Sequence, residues 1–145
     1  MAKIERNALV SYSAEQMFAL VNDIEAYPQY MDGCVGAKVL YRDDKTIEAR
    51  LDLNKAGIQQ SFTTRNELEP PLRMSMSLVE GPFSQFEGYW AFKPLTDAAC
   101  KVSLVLGFEF RNKVLELAAG AWFESTASKQ VDSLCQRARV IYGKV

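Results

Sequence analysis

The chain has 145 residues, 48% of them hydrophobic and 24% charged, with a formal net charge of −1 and no histidine. A chain of this size buries roughly 68–70% of its unfolded surface in one domain, so its core needs no metal or disulfide staple. The near-neutral charge excludes broad attraction to nucleic acid or anionic lipid. The missing histidine removes the commonest general base, the usual partner of a nucleophilic Ser or Cys, and the commonest metal ligand.

Residues 3–11 predict a first strand. Ser13 follows as a helix N-cap, and Gln16 three residues later completes a capping-box pattern. Met17, Phe18, Leu20 and Val21 give the ensuing helix an apolar stripe. A second short helical or looped element holds Ile24, Tyr27, Tyr30 and Met31, is interrupted by Pro28, and ends in an Asp32-Gly33 turn. Alternation with period two then dominates. Val35, Ala37, Val39 and Tyr41 share one face; Ile47, Ala49, Leu51 and Leu53 share the next. Ala56-Gly57 turns the chain into a strand bearing Ile58, Gln60, Phe62, Thr64 and Asn66 on one side. Pro70-Pro71 precedes Leu72, Met74, Met76 and Leu78. Gly81-Pro82 precedes Phe86, Gly88, Trp90 and Phe92, and Thr96-Asp97 precedes Val102, Leu104, Leu106, Phe108 and Phe110.

From Asn112 to about Tyr142 there is no proline. Leu115, Ala119, Trp122, Ala127, Val131, Leu134, Ala138 and Ile141 form a helical stripe. One uninterrupted helix of this length spans roughly 45 Å, enough to cross a whole sheet. The expected fold is α+β, in a single domain over residues 1–145. It has a curved antiparallel sheet of about seven strands, two short helices after the first strand, and a long C-terminal helix laid across the concave face.

Cys34, Cys100 and Cys135 are odd in number, widely spaced and without a CxxC pair, as reduced thiols in a cytosolic protein are. The opening residues lack an apolar signal core, and no run approaches the ~18 apolar residues of a membrane span. A soluble, cytoplasmic protein with no metal site is the expectation.

The aromatic and methionine face is the first candidate site. It is either ordinary core or the wall of an apolar cavity, and Gly88 among bulky rings suggests a gap on a bent sheet. As a cavity, its wall would include Phe86, Trp90 and Phe92 of one strand and Leu106 and Phe108 of the next. Leu51, Leu53, Phe62, Met74 and Met76 would add the neighbouring strands, with Tyr27 on one side and Trp122 and Phe123 closing from the helix. Gln60, Thr64 and Asn66 share the face of Phe62 and are candidates for the few polar groups that orient a ligand; the alternative is that their end of the strand leaves the covered region. Glu80, Glu87 and Glu109 fall near strand ends or outside and read as solvent-facing, so no catalytic residue is assigned. Lys38, Arg42, Arg50, Arg65, Arg73 and Lys101 read as the outer sheet face; Arg137, Arg139 and Lys144 suit the end of the last helix. Without an arginine-rich run or aromatic interleaving, nucleic-acid binding has little support, and no DNA partner is expected.

Several segments, in chain order, carry a family resemblance: SAEQMFALVND, YPQYMDGC, KAGI, FTTRN, VEGPF, the W-x-F-x-P-L of Trp90 to Leu95, FEFRNK and RARVIYG. They resemble the coenzyme-Q-binding, START-like family of polyketide-cyclase-like proteins, in the branch of ribosome association toxins. The resemblance implies a helix-grip (START/Bet v 1-like) fold around an apolar cavity. For function it implies a non-enzymatic binding protein that needs no cofactor. The ligand would be an isoprenoid quinone such as ubiquinone, or a similar lipid, in support of respiration. The alternative it implies is a toxin that binds the large ribosomal subunit and blocks its association with the small one. A cyclase-like enzyme working through a carboxylate or tyrosine ranks third.

Overall fold

The computed structural model describes residues 2–55 and 57–143. Ala56 and Lys144 lie outside them, so the expectations placed on these two residues have no structural counterpart here.

Strand β1 (Ala2–Val10) leads to helix α1 (Ala14–Asn22). The capping box forms as its sequence predicts: the Gln16 N–H donates to Ser13 Oγ at 3.1 Å, and the Ser13 N–H donates to Gln16 Oε1 at 2.9 Å. Two otherwise orphaned donors are thereby satisfied, and the chain is committed to its helical direction. A 3₁₀ helix (Ile24–Gln29) carries Pro28 and delivers the chain to the far edge of the sheet. There β2 (Cys34–Arg42), β3 (Thr46–Lys55), β4 (Ile58–Glu69), β5 (Arg73–Glu80), β6 (Phe83–Thr96) and β7 (Ala99–Phe110) run as a meander. The sheet is antiparallel with strand order β1-β7-β6-β5-β4-β3-β2, so the first strand closes onto the last.

The predicted alternation survives in β3 to β7, whereas in β2 only Ala37 and Val39 of the expected face pack on the core. Val35 and Tyr41 are exposed, because the register against β3 slips between Cys34 and Gly36 and again between Val39 and Tyr41. Each irregularity adds a residue to one strand and reverses which side chains face inward. Cys34 thereby becomes the buried residue at the start of the strand.

The C-terminal helix crosses the sheet but is not continuous. Helix α2 (Lys113–Ser128) and helix α3 (Gln130–Tyr142) meet at Lys129. The Thr126 carbonyl accepts from the Lys129 N–H at 3.2 Å and from Gln130 Nε2 at 2.9 Å, so a side-chain amide enters the ladder where the next backbone donor belongs. Such insertion is a recognised cause of a helix break. The Ser133 N–H donates to the Lys129 carbonyl at 3.0 Å and restarts the helix. The break lies against the loop at 31–33: Gln130 Nε2 reaches the Asp32 carbonyl at 3.4 Å, and Lys129 Nζ lies 4.0 Å from the Asp32 carboxylate. Gly33 has φ +78°, and a Cβ there would come within 3.1 Å of Thr126 Cγ2. Glycine adopts the left-handed turn without strain and spares Thr126 that tight contact.

Beyond the break the buried stripe continues through Val131, Leu134 and Ala138, and the expected Ile141 is exposed. Tyr142 takes its place, donating to the Gln16 carbonyl at 2.8 Å. Arg137 has a more specific role than matching a helix dipole: its guanidinium lies over the Tyr30 ring at 5.2 Å and donates to Gln29 at 3.1 Å.

Candidate functional site: an apolar cavity under the helix break

Between the concave face and the α2–α3 break lies a cavity of about 100 Å³. The aromatic packing explains why it sits mid-sheet. At one end Phe83, Phe108, Phe110 and Phe123 pack ring on ring, with centroids 4.9–6.1 Å apart. At the other, Phe18 of α1 meets Phe92 edge-on at 6.0 Å. The two clusters close the ends of the groove between sheet and helix, and the rows between them are left partly unfilled.

Most of the sequence-derived candidates meet in this wall. Phe86, Trp90 and Leu106 form the floor, with Leu51, Leu53, Phe62 and Met76 beside them and Tyr27 and Phe123 above. Thr64 and Asn66 are also in the wall and buried. Thr64 Oγ1 donates to Asn66 Oδ1 at 2.8 Å, and Asn66 Nδ2 reaches Met74 Sδ at 3.6 Å.

Five candidates lie elsewhere. Phe92 and Phe108 belong to the two end clusters, where neighbouring rings cover them. Met74 is fully buried, paired across the sheet with Trp90 and Leu68 and in contact with Asn66, and does not reach the open space. Trp122 is half-buried and packs against the core one turn before Thr126, and is not part of the wall. Gln60 lines a separate polar groove with Arg50, Thr63, Glu80 and Arg111, where the strand has run past the helix.

Gly88 also acts differently from the expectation. A Cβ there would lie 2.2 Å from the Val105 carbonyl oxygen and 2.6 Å from Leu106 Cδ2. The space a side chain would take is filled by the backbone and Leu106 of β7, so Gly88 permits close approach and opens no gap.

Alternation could have found Ala49 and Leu104, which point inward as their strands predict. Ile24, Met31 and Cys34 come from the segment before and into the irregular β2. Thr126, Ala127 and Gln130 come from the helix break. Their available signal was a polar pair four residues apart within the apolar stripe, where helical geometry puts both on one side.

Among the described residues, the wall contains no Asp, Glu, Lys or Arg. Its titratable groups are Tyr27 and Cys34. Burial pushes the Tyr27 phenol well above its ordinary value, and its hydroxyl donates to the Val21 carbonyl. Burial likewise raises the Cys34 thiol to about 11, partly offset by hydrogen bonding with the Gly36 backbone; the thiol donates to the Gly36 carbonyl at 3.4 Å. Both groups are neutral at physiological pH and already committed to backbone acceptors. Among the described residues there is no cluster of three or more side chains suited to a metal ion, and no helix long and apolar enough to cross a membrane.

Residues 10–135 match the family model for polyketide cyclase / dehydrase and lipid transport proteins. The ribosome association toxin RatA of Vibrio cholerae is 48% identical over 144 residues, covering 99% of this chain and 100% of that protein. A mitochondrial coenzyme Q-binding protein, COQ10 homolog B of Xenopus laevis, is 22% identical across 94% of this chain and 57% of that protein. Among solved structures, the ZhuI aromatase/cyclase from Streptomyces superposes with a TM-score of 0.85 at 17% identity, covering 99% of both chains. A START superfamily protein from Mycobacterium smegmatis gives 0.76 at 23% identity, over 96% of this chain and 98% of that one. At those identities the likeness establishes the helix-grip fold. The chain therefore belongs to the polyketide cyclase / dehydrase and lipid transport family, in its ribosome association toxin (RatA) branch.

Proposed function

We propose that the protein works by binding, not by catalysis, with its outer surface engaging the ribosome and its interior holding a small apolar ligand. The observation that carries the non-catalytic reading is the wall chemistry. The two titratable groups facing the cavity are both driven toward their neutral forms and hydrogen-bonded to backbone carbonyls. General acid–base work needs a group poised near the operating pH, and the wall supplies none.

For the outer surface, the support is 48% identity along the whole length of a protein named for ribosome association. The reading is docking on the large subunit so that subunit joining is blocked. Sucrose-gradient sedimentation with purified subunits tests it: the protein should co-migrate with the large subunit and lower the yield of joined ribosomes. Migration only at the top of the gradient, with joining unaffected, refutes it.

For the interior, the cavity is smaller than the roughly 300–1,000 Å³ of ordinary ligand sites. It is comparable to an engineered apolar cavity of about 150 Å³ that accepts benzene. Being smaller than that, it takes at most a single unsubstituted ring as it stands. An isoprenoid quinone, the reading suggested by the coenzyme Q-binding relative, needs the walls to part for both its substituted ring and its tail. Native mass spectrometry of the protein purified from its host tests this reading, with ligand mass and stoichiometry read together. Trp90→Ala should weaken ring binding, because Trp90 lies in the wall; unchanged affinity would move it to ordinary core.

A further inference from the structure

The outer face of the sheet gathers cations that the sequence keeps apart. Lys93 of β6 and Lys101 of β7 stand directly opposite each other in register, both exposed, and Leu9 of β1 continues the row at 75% exposure. Like charges facing each other across a strand pair repel and destabilise it. Neither lysine makes an ion pair among the described residues, so no acidic partner offsets that repulsion. The adjacent row runs Asn7, Ser103, Ala91 and Arg73, and the first carboxylate along it is Glu69, opposite Arg73. Arg73 is a diagonal neighbour of Lys93, about 7–8 Å away by sheet geometry. Its guanidinium lies over the Tyr89 ring at 3.8 Å and donates to Ser75 Oγ at 3.2 Å, which holds the charge in place over an aromatic face. Beside it a trough of about 660 Å³ is lined by Ser75, Ser77, Tyr89 and Gly107.

We infer that this end of the outer face is the contact with the ribosome, and that Lys93, Lys101 and Arg73 each neutralise a phosphate of exposed large-subunit RNA. The inference rests on the ribosome-docking reading. A strand of RNA offers phosphates at close intervals, which turns the Lys93–Lys101 repulsion into attraction on binding and releases condensed counterions. The Arg73–Tyr89 stack and the serine hydroxyls in the trough suit the bases and sugars of an unpaired strand. Leu9, and Leu95 at 51% exposure two residues past Lys93, make an anionic bilayer the rival occupant. The polar trough disfavours it, since a hydrocarbon layer over Ser75, Ser77 and Arg73 would strand their hydrogen-bonding groups. The formal net charge of −1 is no obstacle. Surface charges act over about one Debye length, roughly 8–10 Å, so their local arrangement decides.

The test is sedimentation with purified large subunits between about 50 and 200 mM salt. It compares the unaltered chain with the double variants Lys93→Gln/Lys101→Gln and Lys93→Arg/Lys101→Arg. Two lost phosphate contacts should weaken the glutamine variant on the order of 25-fold near 0.1 M salt, taking about 0.7 in the slope of log affinity against log salt for each contact to a single strand. The slope itself should become shallower by about 1.4. The arginine variant should bind like the unaltered chain. The glutamine variant should also match or exceed the parent's urea midpoint, because a repulsion has been removed. Parent-like subunit binding by the glutamine variant overturns the assignment while the ribosome reading stands; lysine-dependent binding to phosphatidylglycerol vesicles would then give the patch to a membrane. Weaker binding with an unchanged slope marks a protein contact, and a lowered urea midpoint marks a structural role; either overturns the inference. Failure of the unaltered chain to sediment with the subunit refutes the ribosome reading and this inference with it.

Discussion

Gly88→Ala isolates one structural claim, that β6 has no side chain at this point because β7 occupies the space. The added Cβ would sit 2.2 Å from the Val105 carbonyl oxygen, 2.6 Å from Leu106 Cδ2 and 3.0 Å from Leu106 Cα. The Leu106 methyl can rotate away. The carbonyl oxygen and the Cα are backbone in the middle of a paired strand, and relief there requires β6 and β7 to separate by about 1 Å, breaking ladder hydrogen bonds as they do. Inserting a methyl into a well-packed site costs about 1–3 kcal/mol. Because backbone must move, the upper end applies, about 3 kcal/mol. For a chain near 150 residues, each kcal/mol shifts Tm by about 2–4 °C, so a fall of roughly 6–12 °C is expected. Urea unfolding followed by circular dichroism and by tryptophan fluorescence gives the free energy directly, with unchanged slope showing that the native state stays compact. A variant within about 0.5 kcal/mol of the parent would refute this account. It would mean that Gly88 borders free space, as the pattern of large rings around it had suggested.

Other expectations concern the core, the cavity and pH. Phe123→Ala removes a ring in contact with Phe62, Phe83, Phe108 and Phe110; it should cost about 3–5 kcal/mol in urea unfolding, and a loss under about 1 kcal/mol would show that this end of the core is loosely packed. Ala127→Leu projects three further carbons from a buried wall position, and should abolish binding of a ring-sized probe such as benzene, read by NMR titration. Co-sedimentation with the large ribosomal subunit should persist in that variant, since the interior and the outer surface act separately; loss of both together would show that they are coupled. Burial raises the Cys34 and Cys100 thiols to about 11 from 9.0. Below pH 9 both states hold their protons and nothing changes; between pH 9 and about 11 the unfolded thiols ionise and the folded ones do not, so stability falls as pH rises through that window. Urea midpoints at pH 7, 8.5 and 10 should therefore decline only at the last, and a flat series would contradict the burial of these thiols.

Locally encoded features were legible in the residues themselves. The Ser13–Gln16 capping box needs only a three-residue spacing, and inward-facing Ile47, Ala49, Phe62, Trp90 and Leu104 need only the two-residue repeat of a strand. Features that depend on how elements meet were not. Nothing in the run from Cys34 to Arg42 distinguishes a regular strand from one whose register slips twice, because the slip is defined against β3. The break at Lys129 was equally hidden: the stripe of α2 and α3 has no proline, and the interruption comes from the Gln130 side chain choosing the Thr126 carbonyl.

The division runs through the site as well. By itself the sequence determined the class of fold, the apolar face of the sheet and the absence of histidine-based chemistry, since each follows from composition or from a period of two or 3.6 residues. Tertiary structure decided how much of that face is open. Phe92 and Phe108 carry the same inward signal as Trp90 and Phe86, yet the first pair is covered by rings from distant elements and the second borders the cavity. Periodicity reports only which way a side chain points; what it meets there depends on contacts between residues far apart in the chain, and those are set when sheet and helix close on each other.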